Sequence, residues 1–305
     1  MENSVQGMDT AKNKNRIKQE RKMPELAYLN GKIMPIEKAL VPIEDRGYQF
    51  GDAVYEYIAS YDGKLFFMED HLARLKRSLN ELSYPLISMD MIKSGILELF
   101  AAANIKRAGI YIQISRAVAP RNHSFSNKEP MQIIMTAKSL PDMHPHAKKG
   151  AGVITIEDYR WSRCDIKTVQ LLPNCLSKQK AVDKGAYDAI FISKENIVRE
   201  ATSSNVFMIK NNKVLTHPLT NNVLPGITRK VILEICRDKD IAFEESFFTR
   251  EQLYDADEVF LSGTITEVLP IVTIDSKGVA NKKPGPLTKV LFKELRSKAG
   301  VKKAS

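Results

Sequence analysis

The sequence predicts an α+β protein made of two α/β domains, and three observations carry that expectation. Its 305 residues exceed the roughly 100–200 of one ordinary domain. Apolar periods of two and of three to four alternate along the chain without a strict strand–helix–strand rhythm. The run Pro141-Asp142-Met143-His144-Pro145 breaks both periods and marks a linker near the middle.

The elements follow in order. Residues 27–29 begin a hairpin across Asn30-Gly31, a turn pair whose residues tolerate positive φ. A second hairpin joins residues 54–61 to 65–67 through Asp62-Gly63. Leu72, Leu75, Leu79 and Leu82 then line one face of a helix, and another helix is expected over 88–103. Ile110, Ile112 and Ile114 alternate with polar partners as a half-buried strand, and residues 131–137 read as a further strand. Beyond the linker come a strand at 153–156, a helix near 172–184 stopped by Gly185, and a strand at 189–193. A hairpin across Asn211-Asn212, a helix over 228–238 and strands at 258–261 and 268–274 complete the pattern.

Composition narrows the function. With 43% hydrophobic and 27% charged residues the chain is globular, and no run nears the roughly 18 apolar residues of a membrane helix. The net charge of +10 is confined to the two ends: 1–23 carry +3, 282–305 carry +7, and the body balances. Solvated ends are the expectation, and nucleic-acid binding is not, because the basic stretches lack interleaved aromatic residues. Cys164, Cys175 and Cys236 form neither a disulfide framework nor a zinc motif. The five histidines lack metal-site spacing, so no metal is expected. Residues 1–23 show no apolar signal core, which makes a cytoplasmic location the default.

Three turns rich in glycine and hydroxyls could bind an anion: Pro225-Gly226-Ile227-Thr228-Arg229, Ser262-Gly263-Thr264-Ile265-Thr266 and Glu200-Ala201-Thr202-Ser203-Ser204-Asn205. Thr228 opens a helix, where free N–H groups attract negative charge, although taken alone it reads first as a capping hydroxyl. Lys167 lies close to Leu171-Leu172, and an amine among apolar neighbours can be freed for Schiff-base chemistry.

Together these residues resemble a known family. Glu44-Asp45-Arg46-Gly47-Tyr48-Gln49-Phe50-Gly51-Asp52 with Val54-Tyr55-Glu56 is similar to the opening signature of the class IV aminotransferases, pyridoxal-phosphate enzymes of fold type IV. The likeness continues in order through His71-Leu72-Ala73-Arg74-Leu75, Arg163-Cys164-Asp165-Ile166-Lys167, the 200–205 and 226–229 runs, and Thr264-Ile265-Thr266-Glu267. Ala119-Pro120-Arg121-Asn122-His123-Ser124-Phe125 resembles the loop of the D-amino-acid branch.

That resemblance implies pyridoxal 5'-phosphate held by Lys167 as a Schiff base and transamination between a D-amino acid and a 2-oxo acid. It implies cofactor contacts from Arg74, Glu200, Ser203, Ser204, Ile227, Thr228 and Thr264. Tyr55, Arg121 and His123 would bind the substrate carboxylate, the last two on a loop shared across a homodimer. The linker itself divides the chain into a small domain at 24–142 and a larger domain at 143–297 carrying Lys167, with a disordered basic extension at 1–23 and a basic tail at 298–305 that the resemblance does not assign. Ala201-Thr202, Gly263 and Pro225 depart from the D-branch pattern without removing a proposed catalytic group. The alternatives of the same fold are a branched-chain or (R)-amine transaminase and an aminodeoxychorismate lyase.

Overall fold

A computed structural model describes residues 25–301. The basic extension expected at 1–23 and the final residues 302–305 lie outside them.

The first half builds one antiparallel sheet. Strands β1 (Leu26–Leu29) and β2 (Lys32–Pro35) meet at Asn30-Gly31, where φ is +49° and +90° as a tight hairpin requires. A short helix α1 (Arg46–Phe50), which the periodicity does not reveal, precedes β3 (Ala53–Tyr61) and β4 (Lys64–Leu65). Asp45 caps α1, its carboxylate accepting from the Gly47 and Tyr48 amides. Helices α2 (Met68–Glu81) and α3 (Met89–Ala103) then cover the sheet, which β5 (Ala108–Ser115) and β6 (Gln132–Ser139) complete in the order β2-β1-β6-β5-β3-β4. Leu72, Leu75, Leu79, Ile92, Ile96 and Leu99 pack on Val54, Ile58, Ile110, Ile112 and Ile114, so one helical stripe and one strand face make the core. Phe67 was expected at a strand end; instead it adopts φ +50° as the N-cap of α2 and packs edge-on to Phe66.

The second half forms a nine-stranded mixed sheet. Its elements are β7 (Ala151–Glu157), α4 (Leu172–Asp183), β8 (Asp188–Ile192), β9 (Val198–Ala201), β10 (Asn205–Lys210), β11 (Lys213–Thr216) and α5 (Ile227–Asp238). After them come β12 (Phe243–Glu245), α6 (Arg250–Tyr254), β13 (Glu258–Gly263), β14 (Glu267–Ile274), β15 (Lys277–Gly278) and α7 (Pro286–Lys298). Strands β10, β13, β14, β7, β8 and β9 lie side by side, and β9 pairs again with β10 at Glu200 and Asn205. The run therefore closes on itself, and the closing pair is a pair of cavity residues.

The basic C-terminal end differs from a solvated tail. In α7, Leu291 and Leu295 are buried with Phe207, Val231, Ile232 and Phe260, and Ala299 packs beside Tyr61. Its lysines occupy the outward face, so a charge count over 282–305 conceals an amphipathic helix. Among the described residues no helix is long and apolar enough to cross a membrane.

Candidate active site

A cavity of about 430 Å³ opens between the two sheets, within the usual range for a small-molecule site. Of the sequence-expected residues, Tyr55, Arg74, Lys167, Glu200, Ser203, Ser204, Ile227, Thr228 and Thr264 line it. Arg121 and His123 do not.

Lys167 sits on an irregular stretch between β7 and α4 that is stitched to the first sheet. The Tyr55 amide donates to the Lys167 carbonyl at 2.9 Å, the Val169 amide donates to the Ala53 carbonyl at 3.1 Å, and the Lys167 amide donates to Ser78 Oγ at 3.3 Å. Backbone bonds on both sides fix where the side chain emerges. Its Nζ lies 4.2 Å from the centroid of the Tyr55 ring and makes no ion pair among the described residues. An amine held over an aromatic face, with no carboxylate to claim it, is available for covalent chemistry.

Glu200 is buried in the lining of the same cavity. Its Oε1 accepts from Arg160 Nη1 at 2.6 Å, and its Oε2 accepts from the Leu224 amide at 2.9 Å and from Asn205 Nδ2 at 3.1 Å. Burial pushes this carboxyl up, against the pull of Arg160. A carboxylate offers about four acceptor positions, so three bonds leave one for a group in the cavity. Arg160 is itself held by Asp158 at 2.9 Å and stacks over Phe191 at 4.2 Å. Nothing in the sequence pattern singles out Arg160, because the residues that meet it, 158, 191 and 200, lie on separate strands and loops.

Arg74 projects from α2 across the floor. Glu56 binds it through both oxygens at 2.7 and 2.9 Å, and its Nη1 donates to the Pro225 carbonyl at 2.9 Å. Three of its five N–H groups are thus committed and two remain. Burial alone would raise the Glu56 carboxyl, but Arg74 and then His71, whose Nδ1 is 2.7 Å away, hold it well below the usual carboxylate range. The guanidinium is therefore fixed and permanently charged.

Beside it begins α5. Gly226, rather than Thr228, is the N-cap, and it forms no side-chain cap bond. Among the described residues the leading amides of the helix have no side-chain cap, and the first turn lines the cavity with Ser203 and the 262–264 turn. A Cβ on Gly226 would come within 2.1 Å of Asn205 Oδ1, so only glycine allows this approach. An arginine with spare donors, a bare helix N-terminus and two further hydroxyl-bearing turns, 200–205 and 262–266, make a donor set that can hold a dianionic phosphate. The Lys167 amine and the buried Glu200 carboxylate line the same cavity. This donor set fits pyridoxal phosphate.

Arg121 and His123 are exposed on the loop after β5 and meet the end of α1: the Arg121 guanidinium is 4.5 Å from the ring of Phe50, a cavity residue, and its Nη1 donates to the Gln49 carbonyl at 3.5 Å, while His123 stands edge-on to Phe50 at 5.6 Å. The loop is nonetheless anchored. Arg46, paired with Asp52 at 2.9 Å, donates to the carbonyls of Asn122 at 2.6 Å and His123 at 3.3 Å, and Arg116 lies 3.7 Å from the Phe125 ring.

Comparison with known proteins agrees with this geometry. Residues 53–274 match the family model for amino-transferase class IV. The D-alanine aminotransferase of Staphylococcus haemolyticus is 46% identical over 266 residues, covering 87% of this chain and 94% of that protein. The D-alanine aminotransferase of Bacillus licheniformis is 42% identical over 263 residues, covering 85% and 92%. Among solved structures, the branched-chain aminotransferase of Escherichia coli superposes with a TM-score of 0.83 at 24% identity over 92% of this chain and 97% of that one. That of Thermoproteus uzoniensis superposes with a TM-score of 0.81 at 24% identity over 91% and 96%. At such identity these two structures speak to the fold alone. Lys167 in a cavity shared with Arg74, Glu200 and the start of α5, and a family match over most of the chain, lead to one conclusion: this protein belongs to the class IV aminotransferases.

Proposed function

We propose that the protein catalyses pyridoxal-phosphate-dependent transamination between a D-amino acid such as D-alanine and a 2-oxo acid such as 2-oxoglutarate or pyruvate. The observation that carries this is the meeting of Lys167, Glu200 and the anion cradle in one cavity, in a chain whose D-alanine aminotransferase relatives match it over most of its length. When bound, the cofactor supplies an aldehyde for the amine and a ring that withdraws electrons from the substrate Cα. Arg74, Thr228, Thr264 and the Ser203-Ser204 turn bind its phosphate, with Ile227 contributing its amide. Glu200 keeps a proton on the ring nitrogen, a task suited to a carboxylate whose basicity burial has raised. Lys167 Nζ anchors the cofactor and moves the proton at the substrate Cα on the one face it can reach.

We further infer a homodimer. Arg121 and His123 do not line the cavity formed by the described residues of their own chain, yet the loop bearing them is anchored by Arg46. Arg121 and His123 of the partner subunit, with Tyr55, then fix the substrate carboxylate. Residues 24–142 and 143–297 are taken as the two domains. A cytoplasmic setting suits three cysteines that are all free thiols.

The test is the visible spectrum of the protein with pyridoxal phosphate, followed by D-alanine and, in parallel, L-leucine. Loss of the lysine-bound band with D-alanine only, and its return with 2-oxoglutarate, is the expected result. A response to L-leucine alone overturns the D-selective reading. A Lys167→Ala variant that keeps both the band and the activity overturns the assignment of the lysine.

A further inference from the structure

The hairpin turn that completes the phosphate cradle is held by a residue outside the cavity. Gly263 pairs with Glu267 across β13 and β14, so residues 264–266 form a three-residue loop. Glu267 has φ +55°, the left-handed region that such loops usually fill with glycine or asparagine. Here the position holds a glutamate that is only 1% exposed.

Its partners come from three directions. Tyr61 Oη, at the end of β3, donates to Oε1 at 2.8 Å. Arg107 Nη2, just before β5, donates to the same oxygen at 3.0 Å and stacks on the Tyr61 ring at 3.9 Å. Arg296 Nη1 on α7 lies 3.1 Å from Oε2, and it also donates to the carbonyl of Asp142 in the linker at 2.8 Å. One carboxylate thus ties the first sheet, the linker and the C-terminal helix to the turn. On its other side the turn meets the cavity: Ser262, Gly263 and Thr264 line it, and Thr266 Oγ1 is 3.1 Å from Ser204 Oγ.

We propose that Glu267 is a positioning residue for the cofactor phosphate: its bonds to Tyr61, Arg107 and Arg296 hold the left-handed turn that sets the 262–264 backbone against the cavity. The inference rests on reading this cavity as the pyridoxal-phosphate site. Burial of the carboxylate between two guanidinium groups makes the strained conformation affordable, since releasing it would leave two cations in a dry interface. Closing the two sheets and shaping the cradle are then one event.

The experiment compares the affinities of pyridoxal phosphate and of pyridoxal, which lacks the phosphate, for the full chain and for Glu267→Gln and Tyr61→Phe. Glu267→Gln is expected to weaken pyridoxal phosphate about tenfold and Tyr61→Phe about threefold, with pyridoxal unchanged in both. Tyr61→Phe keeps the ring and touches no cavity residue, so it decides by the same ratio if Glu267→Gln does not fold. A merely structural role would lower the melting midpoint and weaken both ligands alike, and an unchanged ratio in the variants overturns the proposal. A wild-type protein that binds pyridoxal as tightly as its phosphate ester overturns the reading of the cavity, and the inference with it.

Discussion

Replacing Gly226 with alanine tests whether the cofactor cradle depends on one close approach. The new methyl group would stand 2.1 Å from Asn205 Oδ1. Carbon and oxygen settle at roughly 3.3–3.6 Å, so the amide must retreat by about 1.2 Å. The backbone is not the obstacle, since φ at Gly226 is −65° and suits alanine. Asn205 Nδ2 currently donates to Glu200 Oε2 at 3.1 Å and to the Leu224 carbonyl at 2.9 Å. A retreat of that size carries both beyond hydrogen-bond range. Each bond broken in a buried setting costs about 1–3 kcal/mol, so a loss of about 2–4 kcal/mol is expected, partly offset by local relaxation. Because Glu200 loses an orienting donor, cofactor affinity should fall by roughly one to two orders of magnitude at about 1.4 kcal/mol per tenfold. Titration with pyridoxal phosphate followed by absorbance, together with the urea midpoint of the cofactor-free protein, reads both effects. An alanine variant with wild-type affinity and midpoint refutes the claim that this site requires glycine for space.

Further outcomes follow from other parts of the molecule. Arg121→Ala should raise the KM of the amino acid and of the 2-oxo acid together, since both carry the carboxylate; unchanged values for both would remove Arg121 from substrate binding. Leu291→Ala should lower stability by about 2–5 kcal/mol, because the side chain is fully buried beneath α7. An unchanged urea midpoint would return that helix to the status of a tail. Acid should destabilise the protein. For Glu56 and Asp158, burial favours the neutral form but the facing Arg74 and Arg160 outweigh it, so both titrate below their ordinary range in the folded state. Groups depressed in this way stabilise the fold fully above the unfolded carboxylate pKa of about 4, begin to lose that contribution as pH falls past it, and lose all of it only below the lower folded-state value. A urea midpoint that stays constant from pH 7 to about pH 3 contradicts this.

Local chemistry made much of this protein readable from sequence. Asn30-Gly31, Asp62-Gly63 and Asn211-Asn212 all adopt positive φ at their turns, because the residues that tolerate that region are few. The stripe Leu72, Leu75, Leu79 was enough to orient α2, and with it the inward face that carries Arg74. Lys167, Glu200 and the 226–228 turn stood out through the family pattern, and all of them line one cavity. Position in the fold was needed for the rest. Charge counting could not show that 286–298 is an amphipathic helix, because its few buried leucines are outnumbered by lysines that only packing sorts to one face. Arg160, Glu56 with His71, and Glu267 serve by pairing with residues 40, 18 and 206 positions away, at Glu200, Arg74 and Tyr61. No local period encodes such distances. They arise when β9 closes back on β10 and when the two sheets meet, burying charges that must then find partners.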